Sequence, residues 1–319
     1  MNLHRRMHRP GATDLLNVDL LNKTMTATIR VAGSVFKFQG PDLSAFVKAM
    51  PFFKPFFVDD QTGADFYIIE DLGEDEVKSI KEATTAVEPF FDVSFEDITC
   101  NFYKLENRII FYTHEEHSGK ELWESWEIGS DTVHTSIIKA TATIYRYALW
   151  VALNYLLIKE NCFAIHTSAN VFGDKTLIFL GESGTGKSTH TRLLRERYPE
   201  SFLLNDDSPF IKVEKDGTVM VYGSPWSGKT PCYKNEHHTL HGIVRLSQAP
   251  YNKIKRLSPM ESIGALLPSA PPMLNYCEET TDALYTYISD ILEKVPVYHL
   301  ECLPDIAAAE LSHDTLLGN

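Results

Sequence analysis

Two stretches of the chain carry residues at spacings that could grip a phosphate chain, "GESGTGKS" at Gly181–Ser188 and "GSPWSGKT" at Gly223–Thr230. Both fit G-x-x-x-x-G-K-[ST], in which loop amides cradle phosphates, the lysine reaches the outer phosphates and the hydroxyl ligates a divalent cation. Only the first meets the mechanical demands of such a loop. Leu177–Leu180 delivers it from an apolar strand, and Gly181, Gly184 and Gly186 allow positive φ and close approach. Ser183, Thr185 and their neighbours all have an N–H to offer, and the segment from Lys187, Ser188 and Thr189 onward suits a helix whose N-terminus favours anions. The second stretch has Pro225 and Pro231, which lack donors, and a bulky Trp226 in its centre. It reads either as a tight turn with Trp226 plugging the core, or as a loop that closes on the first site with Lys229 touching phosphate or substrate.

Beyond the loop, Asp206 and Asp207 follow the apolar segment "FLLN". A carboxylate placed after the strand that succeeds a phosphate-binding helix can hold a metal or accept a proton from an attacking hydroxyl. Neighbours in an extended segment point to opposite faces, so the pair should divide, and spacing does not say which aspartate takes which role. His166 lies fifteen residues before Gly181, in "AIHTSAN", where a strand is expected. It can be a core histidine, a metal ligand or a phosphate contact. Cys232, His237, His238 and His241 lack the paired spacing of structural zinc and read as a histidine-rich loop. His190, Arg192, Arg195 and Arg197 are expected on the exposed face of the helix after the loop.

The elements that must position these residues are legible as a pattern. Residues 1–20 read as a tail or first strand, and the next hundred or so as β-rich, with strands at "KTMTATIRVAGSVFKF", "FYIIE", "FDVSF", "TCNFYKLE", "RIIFYTH" and "ELWESWEIG". Two short helices are expected at "DLSAFVKAM" and "DEVKSIKEAT", then a long apolar helix over 137–158. Thereafter strand, loop, helix and strand succeed one another as in a nucleotide-binding βαβ unit, followed by a hairpin at "PFIKVEKDGTVMVYG" and a closing helix–strand–helix. The expected organisation is an α+β, mostly β domain at 1–135 and an α/β P-loop domain at 136–319, its core at 160–245.

Composition narrows the partners. The formal net charge of the 319 residues is −13, with no basic face for a nucleic acid or an anionic membrane. The longest apolar run, "YALWVALNYLLI", is too short to span a bilayer, and the basic N-terminus lacks the apolar run of a signal peptide. Five scattered cysteines without C-x-x-C spacing fit free thiols in a reducing cytoplasm.

The run "IHTSANVFGDKTLIFLGESGTGKST…LLNDD" resembles the P-loop domain shared by HPr kinase/phosphorylase and phosphoenolpyruvate carboxykinase, in which a histidine-bearing strand precedes the loop and an aspartate pair follows it. "GKSTHTRLL", "NDD" and "GSPWSGK" also resemble a bacterial group of uncharacterised HPr-kinase-like proteins. The resemblance covers residues 160–245. It implies an ATP-binding phosphotransferase using Mg²⁺, or Mn²⁺ in its place, with Ser188, Asp207 and His166 near metal and Asp206, Asp207, His166 and Lys229 near the reaction. The acceptor would be a hydroxyl on a protein serine or a small molecule, and assembly as a homo-oligomer is left open. The rival readings are a decarboxylating carboxykinase and a nucleotide sensor without turnover. The arginine-containing substrate segments of carboxykinases, and the loop by which HPr kinases take their protein substrate, find no match here.

Overall fold

The computed structural model describes residues 26–95, 97–137, 140–228 and 230–318. The tail or strand expected at residues 1–20 lies outside the described residues. The fold is mixed α/β, built on two sheets that share one buried helix.

Strands β1 (Thr26–Val31) and β2 (Ser34–Gln39) form a hairpin with Val31 opposite Ser34. Its two-residue turn places Ala32 at φ 50° and Gly33 at φ 83°, the left-handed pair that matches the twist of the flanking strands. Helix α1 (Pro41–Ala49) leads to β3 (Phe66–Leu72), parallel to β2, and α2 (Glu74–Thr84) follows. The chain then meanders antiparallel through β4 (Phe91–Phe95), β5 (Ile98–Leu105), β6 (Arg108–Glu115) and β7 (Lys120–Glu127) to β8 (Thr132–Ser136), which pairs parallel with β3. Sheet order is β1-β2-β3-β8-β7-β6-β5-β4. Strand β8 was not expected, because "TVHTS" has a single aliphatic residue; Thr135 and Ser136 are nonetheless buried. One face of the sheet packs on α2 through Val77, Ile80, Ile110 and Trp123.

The other face packs on α3 (Ala142–Leu157). This helix starts later than the expected 137, because the Thr141 hydroxyl accepts from the Ile144 N–H (3.3 Å) and so fixes the N-terminus. It is apolar nearly all round since it is covered on both sides, by β6 and β7 of the first sheet and by β9 of the second. The one polar residue in its middle, Asn154, donates to the Trp150 carbonyl (2.8 Å) and accepts from the Ala164 N–H (2.9 Å), so its amide joins helix to strand. A single hydrophobic cluster runs from Phe36 and Phe53 through Leu149 and Leu153 to Phe163 and Tyr287. The packing does not stop at the end of β8.

The second sheet contains β9 (Cys162–Ala164), β10 (Thr167–Phe172), β11 (Lys175–Leu180), β12 (Phe202–Asp207), β13 (Phe210–Val213), β14 (Val219–Tyr222), β15 (His237–Gln248), β16 (Lys253–Arg256) and β17 (Val297–Cys302). Helix α4 (Lys187–Arg197) links β11 to β12, and α5 (Pro259–Leu266), α6 (Glu278–Lys294) and α7 (Ile306–Leu316) complete the chain. The expected single strand "FAIHTSANVF" is two strands, β9 and β10, broken at Ile165–His166 because they join different places in the sheet. Strand β10 lies between β11 and β12 and is antiparallel to both. The β11–α4–β12 crossover is therefore a parallel connection with a third strand inserted.

The segment "GSPWSGKT" is built into this frame. Trp226 is buried, edge-on to Phe53 of the first unit (5.9 Å between ring centres) and to Phe210 of the second (6.2 Å). Its indole N–H donates to the Arg146 carbonyl (3.0 Å). Truncating a fully packed aromatic of this size costs about 3–5 kcal/mol. Trp226→Ala is therefore expected to lower unfolding stability by about that amount in urea titration; a loss under about 1 kcal/mol would mean the two units do not depend on this contact.

Candidate functional site

The insertion of β10 determines which residues meet. Because β10 runs against β11 and β12, its N-terminal end lies beside their C-terminal ends, with Thr167 opposite Asp207 and Ser168 opposite both Phe179 and Asp206. His166, just before β10, the loop after β11 and the aspartates ending β12 all emerge at one edge. His166 is thus in the break between strands and not within one; its N–H donates to the Ser269 carbonyl (2.7 Å).

In the loop, Gly184 and Gly186 stand at φ 83° and 108°, and a Cβ at either would meet only open space, so the backbone conformation is what demands glycine. The Thr185 N–H and hydroxyl both return to the Glu182 carbonyl (3.2 and 2.7 Å), and Gln248 from the end of β15 donates to the Gly184 carbonyl (3.2 Å). The loop passes directly into α4 at Lys187, with no side-chain cap at Gly186. The exposed Gly184 and Ser183 and the partly exposed Thr185, Gly186 and Thr189 line the outer side of this turn.

Lys187 Nζ bonds the Gly181 carbonyl (2.6 Å), the Glu182 carbonyl (3.3 Å) and His166 Nε2 (3.1 Å). Burial holds its pKa below the usual lysine value, against the opposing pull of Asp206 and Asp207. A protonated Lys187 donates to Nε2, which leaves His166 Nδ1 to carry its hydrogen toward Asp207 Oδ1, 3.4 Å away. The aspartate pair divides as adjacent residues of a strand must. Asp206 is buried and accepts from the Ser188 hydroxyl (3.2 Å), whereas the half-exposed Asp207 faces His166. Of the three residues expected near metal, His166 pairs with Asp207, while the Ser188 hydroxyl donates to Asp206.

Among the described residues no group of three or more His, Cys, Asp or Glu side chains is arranged to hold a metal ion. The Ser188–Asp206 pair nonetheless supplies two hard oxygens next to the phosphate loop, the donor set of a magnesium that takes its remaining ligands from phosphate and water. The residues present therefore fit a nucleotide-borne Mg²⁺ better than a closed protein cage. The cysteine–histidine set fits no zinc. Cys232 is buried with its thiol on the Leu203 and Leu204 carbonyls, and His237 and His238 belong to strand β15 instead of a loop.

No protein-family model matches the chain, and no curated protein matches it in sequence. Among solved structures it is similar to the HPr(Ser) kinase/phosphatase from Coxiella burnetii, at 14% identity and a TM-score of 0.28, over 48% of this chain and 87% of that one. A score of that size carries no weight, and the geometry has to stand alone. No helix among the described residues is long and apolar enough to cross a membrane.

Two cavities open near these groups, one against the glycine-rich loop and one against His166 and Asp207. One of about 570 Å³ lies outside the loop against Thr185, Gly186 and Thr189, with Leu246, Pro250 and Leu303 as its apolar wall. The other, of about 530 Å³, has His166 and Asp207 at one end and Arg146, Trp150 and Trp226 along its sides. Arg146 was not singled out by the sequence, where it is one charge in an apolar helix. The wall it shares is rigid: Asn205 Nδ2 donates to the Trp226 carbonyl (2.8 Å), its Oδ1 accepts from the Ser208 N–H (2.9 Å), and Gly228 N–H bonds the Asp206 carbonyl (2.8 Å). A Cβ on Gly228 would come within 2.7 Å of that carbonyl, so the loop can lie against the aspartates only with glycine there. "GSPWSGKT" is accordingly a fixed wall around Trp226; Lys229, expected to touch phosphate or substrate, lies outside the described residues.

The helix after the loop departs from expectation at His190. Arg192 and Arg197 are exposed and paired with Glu196 and Glu310, and Arg195 is half-buried near Asn170 (3.4 Å). His190, expected outside with them, is buried against the Phe179 ring, with Nε2 2.9 Å from the Ser312 hydroxyl. Burial pushes its pKa down to about 4. Its folded pKa lies below the unfolded value of about 6.5, so the unfolded chain binds the extra proton and stability falls as pH drops from about 6.5 toward 4. Between pH 7 and pH 5 the wild type should lose about 2 kcal/mol more unfolding free energy than His190→Gln. Equal losses in denaturant titrations at the two pH values would show that His190 protonates freely in the folded protein.

Proposed function

We propose that the chain is a metal-dependent phosphotransferase that moves the γ-phosphoryl group of ATP to a hydroxyl. The observation that carries this reading is the single edge at which the loop's lysine, a hydroxyl–carboxylate pair and a histidine–carboxylate pair meet, with one cavity at the glycine-rich loop and another at His166 and Asp207. Phosphoryl transfer needs donor and acceptor on opposite sides of the moving group, and mostly positioning and charge stabilisation from the protein.

In this reading the loop amides and Lys187 hold the β- and γ-phosphates, and the cavity beside Leu246 and Leu303 takes the nucleoside. Ser188 and Asp206 would hold Mg²⁺, which when bound neutralises charge on the phosphates. Asp207, with His166 behind it, accepts the proton of the attacking hydroxyl. The new P–O bond forms to that oxygen as the bond to the β-phosphate oxygen breaks, and ADP leaves. Lys187, donating to His166 Nε2 before the nucleotide arrives, is held close to the position it takes on the phosphates. The pull of Asp206 and Asp207 favours its charged form and opposes the effect of burial.

The decisive measurement is nucleotide affinity beside γ-phosphate turnover, followed with γ-labelled ATP and Mg²⁺. Lys187→Ala should weaken ATP binding at least about tenfold, the effect of losing a charge-assisted contact. Asp207→Asn should keep affinity and cut turnover by about 10²–10⁴-fold, the usual contribution of a general base. Turnover unchanged in both variants would remove the assignment, and tight nucleotide binding without turnover in the wild type would make the protein a sensor. Phosphoenolpyruvate formation from oxaloacetate with Mn²⁺ would make it a decarboxylating carboxykinase instead.

A further inference from the structure

The cavity on the aspartate side is more specific than a generic opening. Its two charged groups are tied to one residue and so lie near each other: Asp207 pairs with Ser227 across an isolated β-bridge, and Arg146 Nη2 donates to the Ser227 carbonyl (2.8 Å). A guanidinium has five N–H donors in a planar fork, so a single bond to a carbonyl orients it without exhausting it. The Phe52 ring lies under the same guanidinium at 5.7 Å and fixes its plane. The cavity walls are flat and held in place. The Trp150 indole is anchored through Nε1 to the Ser208 hydroxyl (2.9 Å), Trp226 through Nε1 to the Arg146 carbonyl (3.0 Å), and Pro268, Pro271 and Pro272 close the far side. The segment bearing those prolines is bound to the site itself, since the Ser269 carbonyl accepts from the His166 N–H. Among the described residues the titratable groups on the lining are Arg146, Tyr147, His166 and Asp207, and of these Arg146 is the one fixed cation.

We infer that this cavity is the acceptor site and that it selects a small hydroxy acid with a flat apolar body: the hydroxyl at Asp207, a carboxylate or other anionic group on Arg146, and the body between Trp150 and the prolines. The inference rests on the phosphotransferase reading for the identity of the reacting group, but recognition itself needs only the cavity. A volume of about 530 Å³ suits a molecule of one ring and a short functional arm. Rigid aromatic and proline walls favour a planar body through offset or edge contacts, and they do so without ordering cost because the rings are already pinned. A neutral alcohol would leave Arg146 unanswered, and an acid without the hydroxyl would offer nothing to Asp207. In the transfer step the acceptor O–H bond breaks toward the Asp207 carboxylate, the oxygen bonds to the γ-phosphorus, and ADP is the leaving group.

The test uses the full chain and three probes: 3-phenyllactate, 3-phenylpropanoate, which lacks the hydroxyl, and 3-phenylpropan-1-ol, which lacks the carboxylate. Calorimetric titration should show 3-phenyllactate binding at least tenfold more tightly than the alcohol and more tightly than the acid lacking the hydroxyl. Arg146→Met should weaken it at least tenfold, with part of the affinity returning in Arg146→Lys. Because Arg146 also supports Ser227, Thr143→Trp is the second variant: Thr143 is exposed at the cavity mouth, and a large ring there should block the probe while leaving ATP affinity unchanged. No binding by 3-phenyllactate, or binding indifferent to Arg146 and to Thr143→Trp, overturns the acceptor assignment even if ATP binds and turns over. Probe binding that follows this pattern in a protein that binds no nucleotide upholds the cavity's selectivity and overturns the phosphotransferase reading instead.

Discussion

Strand β10, running antiparallel between β11 and β12, is the constraint on which the rest of the site depends. In a simple βαβ unit the two parallel strands are neighbours, and only their own C-terminal loops meet. Inserting a strand of opposite direction brings its entry end to the same edge, so His166 arrives next to the aspartates although it precedes the loop in sequence. Because hydrogen-bond register is quantised, Thr167 opposite Asp207 also fixes which aspartate faces His166; a slip of one residue would exchange the roles of the two carboxylates. Buried side chains make such a slip costly. Thr167 donates to the Phe179 carbonyl, Ser168 contacts Thr191 of α4, and Ala169 and Val171 lie in the core.

The same register explains why the second glycine–lysine segment lies where it does. Asn205, two residues from Asp207 and on the same face of β12, points away from solvent into Trp226, Ser224 and Cys232 carbonyl and hydroxyl groups, so one buried amide organises the loop that walls the aspartates. A buried amide with its partners in place is favourable, and one partner lost leaves the others without a bond in a dry environment. The first unit enters through Phe53 and Arg146, which pack against or bond to this loop. Its contribution to the site is therefore a wall and a cation, delivered through α3.

The glycine-rich turn at Gly181–Gly186, the strand and helix on either side of it and most strands of the first unit were legible in the sequence because each depends on local signals: glycine at positive φ, period-two alternation and helical spacing. The division of Asp206 from Asp207 followed from strand geometry, but its direction did not, since that needs the pairing partner. Other features depend on non-local packing. His190 has the sequence context of an exposed helical residue and is buried because α7 covers that face of α4. Strand β8 has too few apolar residues to announce itself and is held by pairing with β3 on one side and β7 on the other. Arg146 looked like a lone charge in an apolar helix; its meaning comes from Ser227, some eighty residues later.

Net charge bears on this arrangement in a way the composition alone does not reveal. A chain of formal charge −13 repels a polyanion at long range, so attraction has to be generated locally and at short distance. In the proposed reading the edge would do this with backbone amides, a helix N-terminus and Lys187, and with Arg146 in the neighbouring cavity. Between them stand Asp206 and Asp207, whose negative charges oppose the lowering of the Lys187 pKa that burial causes. Acids that make the surface unattractive to anions would thus, at this one edge, favour the charged form of the lysine proposed to bind them, and Asp206 stays beside Lys187 when Asp207 is changed.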